Sequence, residues 1–396
     1  MVIPHPFGTR SLDEVAVIAR SCVEQLVKLI SDQQLTTTVA GTTRQTTVSP
    51  AQCLALDDDF DAINEAFDAQ RWTDGLPIAP PTPARVERML AHSPLPRDTL
   101  IARIPPAFGA ATVELLAINA VMAGLPPAAF PVLLAAVEAV VDPVFNLQAI
   151  QTTTNPVAVW LIVNGPVVER LGFNASFNCL GEGNRANATL GRALRLVMRN
   201  VGGALPGEMD RATQGQPARY TLCSAEHEAA SPWTSVRAEQ GFGPDVSTVT
   251  AVPMEGTLNM NTHSKDGDEI LRVFSASMIH PPSNEYVHGG EPWLLISPEH
   301  ADLITKAGYD KVGVQQRLWE LTKMPASSMA QRDFERARTS RVIELGEVGP
   351  ETLLPIAHRA ADIRIVVAGG PGTHSVYVPC FGNARAVTRA ITMPDR

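Results

Sequence analysis

The sequence predicts an α/β protein: a layered sheet with helices on both faces, preceded by an N-terminal helical arm. Three observations predict it. Residues 157–163, 293–296 and 363–368 read as continuous apolar strands, each leaving through a turn rich in Gly, Pro or Ser. Strands without polar alternation are buried on both faces, as in a sheet covered by further layers. Residues 112–123 and 130–141 have helical length but are apolar nearly all round, which places them inside a large domain. There is also an echo. Cys179-Leu180-Gly181 leads to Arg185-Ala186, and Cys380-Phe381-Gly382 leads to Arg385-Ala386, each after a strand and a Gly/Pro turn, which suggests an internal pseudo-duplication.

In chain order, Ser11-Leu12-Asp13-Glu14 is a capping box that opens a helix running to about Ile30. Val15, Ile18, Cys22, Leu26 and Leu29 share one face of it, so this arm, residues 1–30, packs on something. Residues 31–55 form a linker, rich in Thr, Gln and Ser at first and without periodicity. The main domain spans residues 56–396, either as one body or as two halves at about 56–245 and 246–396. It opens with a helix behind Asp57-Asp58-Asp59, acidic residues that suit a helix N-terminus. Trp72-Thr73-Asp74-Gly75-Leu76-Pro77 must turn or extend, and a short helix follows from Pro83. Ser297 and Pro298 are cap and first-turn signals for another helix.

Composition excludes some functions. A formal net charge of −9 argues against general nucleic-acid binding, which needs a basic face. The longest apolar stretch, around 130–141, is too short for a membrane span and contains Glu138. The N-terminus lacks the pattern of a signal peptide, and the 5 cysteines are scattered with no Cys-x-x-Cys, so neither a disulfide framework nor a thiolate zinc site is indicated. A reducing, cytoplasmic setting is expected.

The candidate chemistry centres on residues 178–233. Gly181 and Gly183 form a flexible loop ahead of a helix from about Asn187 to Arg199. Arg185, Arg192, Arg195 and Arg199 fall within about an 80° arc, opposite Leu190, Leu194 and Val197. Free backbone N–H groups and the helix dipole favour an anion there; paired or solvated arginines are the competing explanation. A strand at residues 219–223 then ends in Cys223, followed by Glu226, His227 and Glu228. A thiol, an imidazole and carboxylates so close together make a candidate reactive site. Cys223 reads either as a nucleophile or as a small buried hydrophobe.

Two further stretches add candidates. Asn259, Asn261 and His263 alternate with Leu258, Met260 and Thr262, which puts a polar row on one strand face, suited to lining a pocket or to facing solvent. Gly370 and Gly372 follow a buried strand, where backbone N–H groups can hold an oxyanion and His374 can supply a proton.

Several of these runs resemble one family. Arg185-Ala186-Asn187-Ala188-Thr189 through Gly202-Gly203, Tyr220-Thr221-Leu222-Cys223-Ser224-Ala225-Glu226, Ser231-Pro232-Trp233, Ser297-Pro298-Glu299-His300-Ala301 and Gly369-Gly370-Pro371-Gly372 are similar to the large domain associated with bacterial UGSC-type (seleno)proteins. Trp72-Thr73-Asp74-Gly75-Leu76-Pro77 fits the same pattern, so the resemblance covers about residues 56–396. Pro4-His5-Pro6-Phe7-Gly8 and the first helix resemble the C-terminal end of the UGSC domain, itself distantly similar to a glycine reductase subunit. That domain carries a Sec/Cys-Gly-Ser-Cys motif, which this chain lacks. The resemblance therefore implies a partner chain that supplies the redox pair and docks on residues 1–30.

The expected function is an enzyme, or the large subunit of a thiol- or selenol-dependent one, acting on a small anionic or thiol-conjugated molecule. Gly181, Gly183, Arg185, Asn187 and Arg192 would hold the anion. Cys223 would react, tuned by Glu226 or His227, while Asn259, Asn261 and His263 orient the substrate. No cofactor is implied. The alternatives are a metal-dependent hydrolase or lyase using His227, His263, Glu226 or His374, and a non-catalytic subunit of a hetero-oligomer.

Overall fold

The computed structural model describes residues 10–32, 51–281 and 283–394. The chain forms two units, Met1–Thr47 and Val48–Arg396. The first contains helix α1 (Leu12–Asp32), which starts at the expected capping box. The Ser11 N–H donates to Glu14 Oε2 at 2.7 Å, and the Glu14 N–H donates to Ser11 Oγ at 3.3 Å. Residues 33–50 of the expected linker lie outside the described residues.

The second unit begins with helices α2 (Phe60–Ala69) and α3 (Pro83–Leu90) and the hairpin β1 (Leu100–Ile104) and β2 (Gly109–Thr112). Helices α4 (Val113–Ala123) and α5 (Phe130–Val140) follow, both almost wholly buried as their composition requires. Strand β3 (Ala158–Asn164) and helix α6 (Arg185–Asn200) come next, then β4 (Cys223–Ala225), β5 (Thr248–Met254) and β6 (Leu258–Asn261). The last third holds α7 (Gly267–Met278), β7 (Trp293–Ile296), α8 (Pro298–Lys306), α9 (Lys311–Leu321), β8 (Arg364–Val367), β9 (His374–Val378) and β10 (Val387–Ala390).

The α/β class stands, and helices cover both outer faces. Between them lie two stacked sheets rather than one, of strand order β10-β5-β3-β4 and β8-β7-β9-β6. Strand β3 shows why its sequence does not alternate. Val159, Leu161 and Val163 face the core under α4, α5 and α6, while Ala158, Trp160 and Ile162 face the second sheet. Leu294 and Ile296 of β7 likewise face the core under α7, α8 and α9, and Trp293 and Leu295 face inward. Trp160 and Trp293 meet edge to face between the sheets, 6.0 Å between ring centroids. Side chains of this size each stabilise the fold by roughly 1.5–3 kcal/mol on burial.

The two sheets share one pattern of strand directions. The central strand, β3 or β7, pairs parallel with one neighbour and antiparallel with the other. That antiparallel neighbour, β5 or β9, carries an antiparallel edge strand. The edges are exchanged: β6 follows β5 in the chain but joins the second sheet, and β10 follows β9 but joins the first. The Cys179 and Cys380 echo does not fall on matching elements, because Cys179 precedes helix α6 and Cys380 precedes strand β10. A division at 245/246 also cuts off β5, which belongs to the first sheet.

Glycine matters at two places that shape the surroundings of α6. Gly124 ends α4 in the left-handed region, φ 78°, which lets the chain reverse toward α5. Gly191 sits mid-helix, where a Cβ would come within 2.5 Å of Thr221 Oγ1 and 2.7 Å of the Leu222 nitrogen. It therefore allows α6 to lie directly on the segment entering β4.

Candidate functional site

Helix α6 begins at Asn184, whose side chain accepts from the Asn187 N–H at 2.9 Å. Arg185 donates from Nε and Nη2 to the Gly124 carbonyl at 3.1 and 2.9 Å, so it caps the end of α4. Asn187 is buried: it accepts from the Asn174 N–H at 2.9 Å and donates to the carbonyls of Asn174 and Cys179. Its amide thus fixes the loop before the helix. Gly181 and Gly183 are exposed beside it.

Further along the same face, Arg192 grips the 72–77 turn. It donates to both Asp74 carboxylate oxygens at 2.8 and 2.9 Å and to the carbonyls of Leu76 and Pro77. Both arginines expected to hold the anion, Arg185 and Arg192, are therefore occupied by protein partners instead.

The next turns of the helix differ. Arg195 and Arg219 share one carboxylate, Asp210, whose side chain is 5% exposed. Arg199 donates to the Arg71 carbonyl at 3.2 Å and has no carboxylate within ion-pair distance among the described residues. Arg195 and Arg199, with Arg219 and Asp210, line an open pocket of about 290 Å³. Asp74, Thr213, Gln214, Gln216 and the half-exposed Tyr220 complete much of its wall. Among the described residues, four guanidinium groups, Arg192 included, meet two carboxylates, a formal surplus of two positive charges, and of the four Arg199 alone makes no direct ion pair. Burial, then repulsion from Arg219, pushes Arg195 down to about 10 even with Asp210 beside it. Burial also lowers Arg199, with Arg71 the next cause. An anion in the pocket would relieve both.

From Arg185 to Arg199 the helix rises about 21 Å, so the Gly181–Gly183 loop and this pocket stand at opposite ends of it. The sequence shows the arginine face. It does not show that Asp210 and Arg219, on either side of a Gly/Pro-rich passage, converge with the second half of that face.

The remaining candidates sit elsewhere. Cys223 is buried, 4% exposed, in the core under α6, and burial followed by the neighbouring Cys179 moves its thiol strongly upward. Burial pushes the Cys179 thiol up to about 11. Both environments favour the neutral thiol over the nucleophilic thiolate. The expected strand at 219–223 is shorter and later, because residues 217–219 form a helical turn and pairing with β3 begins at Cys223.

Glu226 is buried at the end of β4. It accepts from Asn164 Nδ2 at 2.5 Å and from the Val236 N–H at 2.9 Å, and burial pushes it up to about 7. Burial also acts on Glu228, but Arg237, Asn164 and the Gly165 N–H outweigh it and hold that carboxyl below its usual range. The His227 N–H donates to the Val367 carbonyl at 2.8 Å and so ties the two sheets together at their ends.

Asn259, Asn261 and His263 are exposed on or beside edge strand β6, and His374 is exposed opposite them on β9, its Nδ1 3.1 Å from Asn259 Oδ1. Gly370 lies under the Phe177 ring, and the Gly369 N–H donates to the Ala175 carbonyl, which brings this glycine loop against the segment before Gly181. The Gly372 carbonyl accepts from Ser297 Oγ, the cap of α8.

His300, the most enclosed of these histidines, places Nε2 3.1 Å from the Thr262 carbonyl and Nδ1 2.8 Å from Ser375 Oγ. Nε2 therefore carries the proton and Nδ1 accepts from the serine, a pair sealed from solvent that anchors α8 to β9. Among the described residues no three His, Cys, Asp or Glu side chains converge as a metal site, and no helix is long and apolar enough to cross a membrane. No protein-family model matches this chain, and no curated protein is significantly similar to it.

Proposed function

We propose that this chain recognises a small anionic molecule in the pocket lined by Arg195, Arg199 and Arg219, as an enzyme or the large subunit of one. The observation that carries the reading is the surplus of guanidinium over carboxylate around an open pocket, with Arg199 lacking an ion-pair partner among the described residues. Planar guanidinium groups suit phosphate or carboxylate, and the partly desolvated setting strengthens each contact. Tyr220 and Gln214 supply neutral donors at the rim. Among the described residues the pocket lining holds no thiol, and Cys223 is in the core. We take the reactive thiol or selenol of this reading to come from a partner chain, as the resemblance to UGSC-type proteins implies.

Isothermal titration with inorganic phosphate, sulfate and short dicarboxylates tests the binding. One saturable site is expected, weakened roughly 10- to 100-fold in Arg199→Ala, the loss of one hydrogen-bonding charge. Equal affinity in the variant overturns the assignment. Native mass spectrometry of the protein from its own source tests the partner: a second chain bearing a Cys- or Sec-Gly-Ser-Cys motif is expected.

A further inference from the structure

Asp74 lines the arginine pocket. Trp72, two residues earlier, lines a second and larger cavity of about 660 Å³. The turn between them is fixed by Arg192 on one side and by Asn200, which donates to the Trp72 carbonyl at 2.9 Å, on the other. The walls are mostly apolar: Ile63, Phe67, Val86, Leu115, Ile118 and Met122 contribute from helices α2, α3 and α4. Residues 51–58 cross one side, tied down where the Ala51 N–H donates to Glu114 Oε2 at 3.2 Å. Leu54, Leu56 and Trp72 line this cavity yet remain 59%, 46% and 38% exposed. Large apolar side chains left open around a concavity of this size mark a ligand site rather than a packing defect.

The charge at the rim chooses the ligand. Among the described residues, Asp57, Asp58, Glu87 and Glu114 line the cavity against one cation, Arg97, which already bridges Glu87 and Glu114. Three negative charges are thus left over, the reverse of the arginine pocket. An anionic amphiphile is repelled here, and a cationic one is attracted.

We propose that this cavity binds a small amphiphilic amine, whose apolar or aromatic body fills the space under residues 51–58 and whose ammonium group lies at the acidic rim. The volume suits a molecule of one or two rings or a medium alkyl chain rather than a peptide helix. The Trp72 ring adds an apolar and cation-attracting surface at the same opening. This site is independent of the anion reading, since it shares no lining residue with the arginine pocket.

The test uses the full chain and three probes of one shape: 1-naphthylmethylamine, 1-methylnaphthalene and 1-naphthoate, titrated at low ionic strength. The amine is expected to bind one site per chain. Ile118→Trp and Leu115→Trp, which fill the cavity, should abolish that binding while the circular dichroism spectrum is retained. Asp57→Asn with Asp58→Asn, a surface pair that leaves the core alone, should weaken the amine roughly fivefold and leave 1-methylnaphthalene unchanged, as for partly screened charges. Naphthoate binding that survives Ile118→Trp belongs to the arginine pocket.

The proposal is overturned by amine binding that is indifferent to the cavity-filling variants, or by cavity-dependent naphthoate binding as tight as the amine's. It is also overturned by amine binding that ignores the loss of Asp57 and Asp58, a readout that stands even where the Trp variants do not fold. Binding seen only where the chain self-associates would assign the groove to a second copy and equally overturn it.

Discussion

Replacing Asp210 by Asn removes the one carboxylate that Arg195 and Arg219 share. All three side chains are largely buried, at 5%, 13% and 11% exposure, so solvent does little to replace the lost charge. Breaking a buried ion pair from one side costs about 3–5 kcal/mol, because the remaining charge keeps its desolvation penalty. The carboxylate here serves two guanidinium groups, and repulsion between them already opposes the charging of Arg195. A loss of about 4 kcal/mol is therefore expected in urea unfolding at low ionic strength. The variant also leaves the pocket more positive, so low-millimolar sulfate should restore more stability to the variant than to the parent. The ceiling is set by linkage, about 2.7 kcal/mol at a hundredfold excess over Kd. A loss below about 1 kcal/mol, or equal stabilisation of both proteins by sulfate against chloride of matched ionic strength, refutes a desolvated cluster with surplus positive charge.

Other perturbations separate structural from chemical roles. Iodoacetamide should label exposed Cys53 in the native protein and leave Cys179, Cys223 and Cys380 unmodified until unfolding, as peptide mapping would show; native labelling of Cys223 would return it to the candidate nucleophiles. Arg192→Ala should cost about 3 kcal/mol and expose the 72–77 turn to limited proteolysis, because four hydrogen bonds end on that guanidinium. Glu285 is buried beneath Tyr377 and Cys380, and burial pushes it up to about 8 from 4.5. The native state then holds a proton that the unfolded chain releases, so this stabilising contribution is complete below about pH 4.5 and is lost as pH rises through about 8. Glu285→Gln should flatten the fall in stability across that window by up to about 1.4 kcal/mol per pH unit, measured by urea midpoints at several pH values.

The strands at 157–163, 293–296 and 363–368 were legible because burial on both faces removes polar alternation. Their covering was not: a helix and a second sheet demand the same apolar side chains, so Trp160 and Trp293 give no sign of facing each other. Strand β5 is not legible in the sequence for a local reason. Its sequence, Thr248 to Met254, carries three polar or Pro positions that argue against a buried central strand. Thr250 satisfies its hydroxyl on Thr388 at 2.8 Å, and Pro253 sits near the end of its pairing with β3.

The site was half visible. The 3.6-residue period places Arg185, Arg192, Arg195 and Arg199 on one face. Their partners come from distant chain, as with Asp74, which lies 118 residues before Arg192. Which arginines are spent on the fold and which remain for a ligand is a question of tertiary contacts. The apolar cavity is not legible for the same reason, since its walls come from helices α2, α3, α4 and α6 and from the segments at 51–58 and 80–83.

The most direct test of the anion reading is a crystal soaked in selenate, with anomalous diffraction recorded at the selenium edge. A selenium peak is expected in the pocket, with the selenate oxygens within hydrogen-bonding distance of Arg199 and of Arg195 or Arg219. Ordered selenate at the Gly181–Gly183 loop or elsewhere on the surface, with this pocket holding only water, would contradict it.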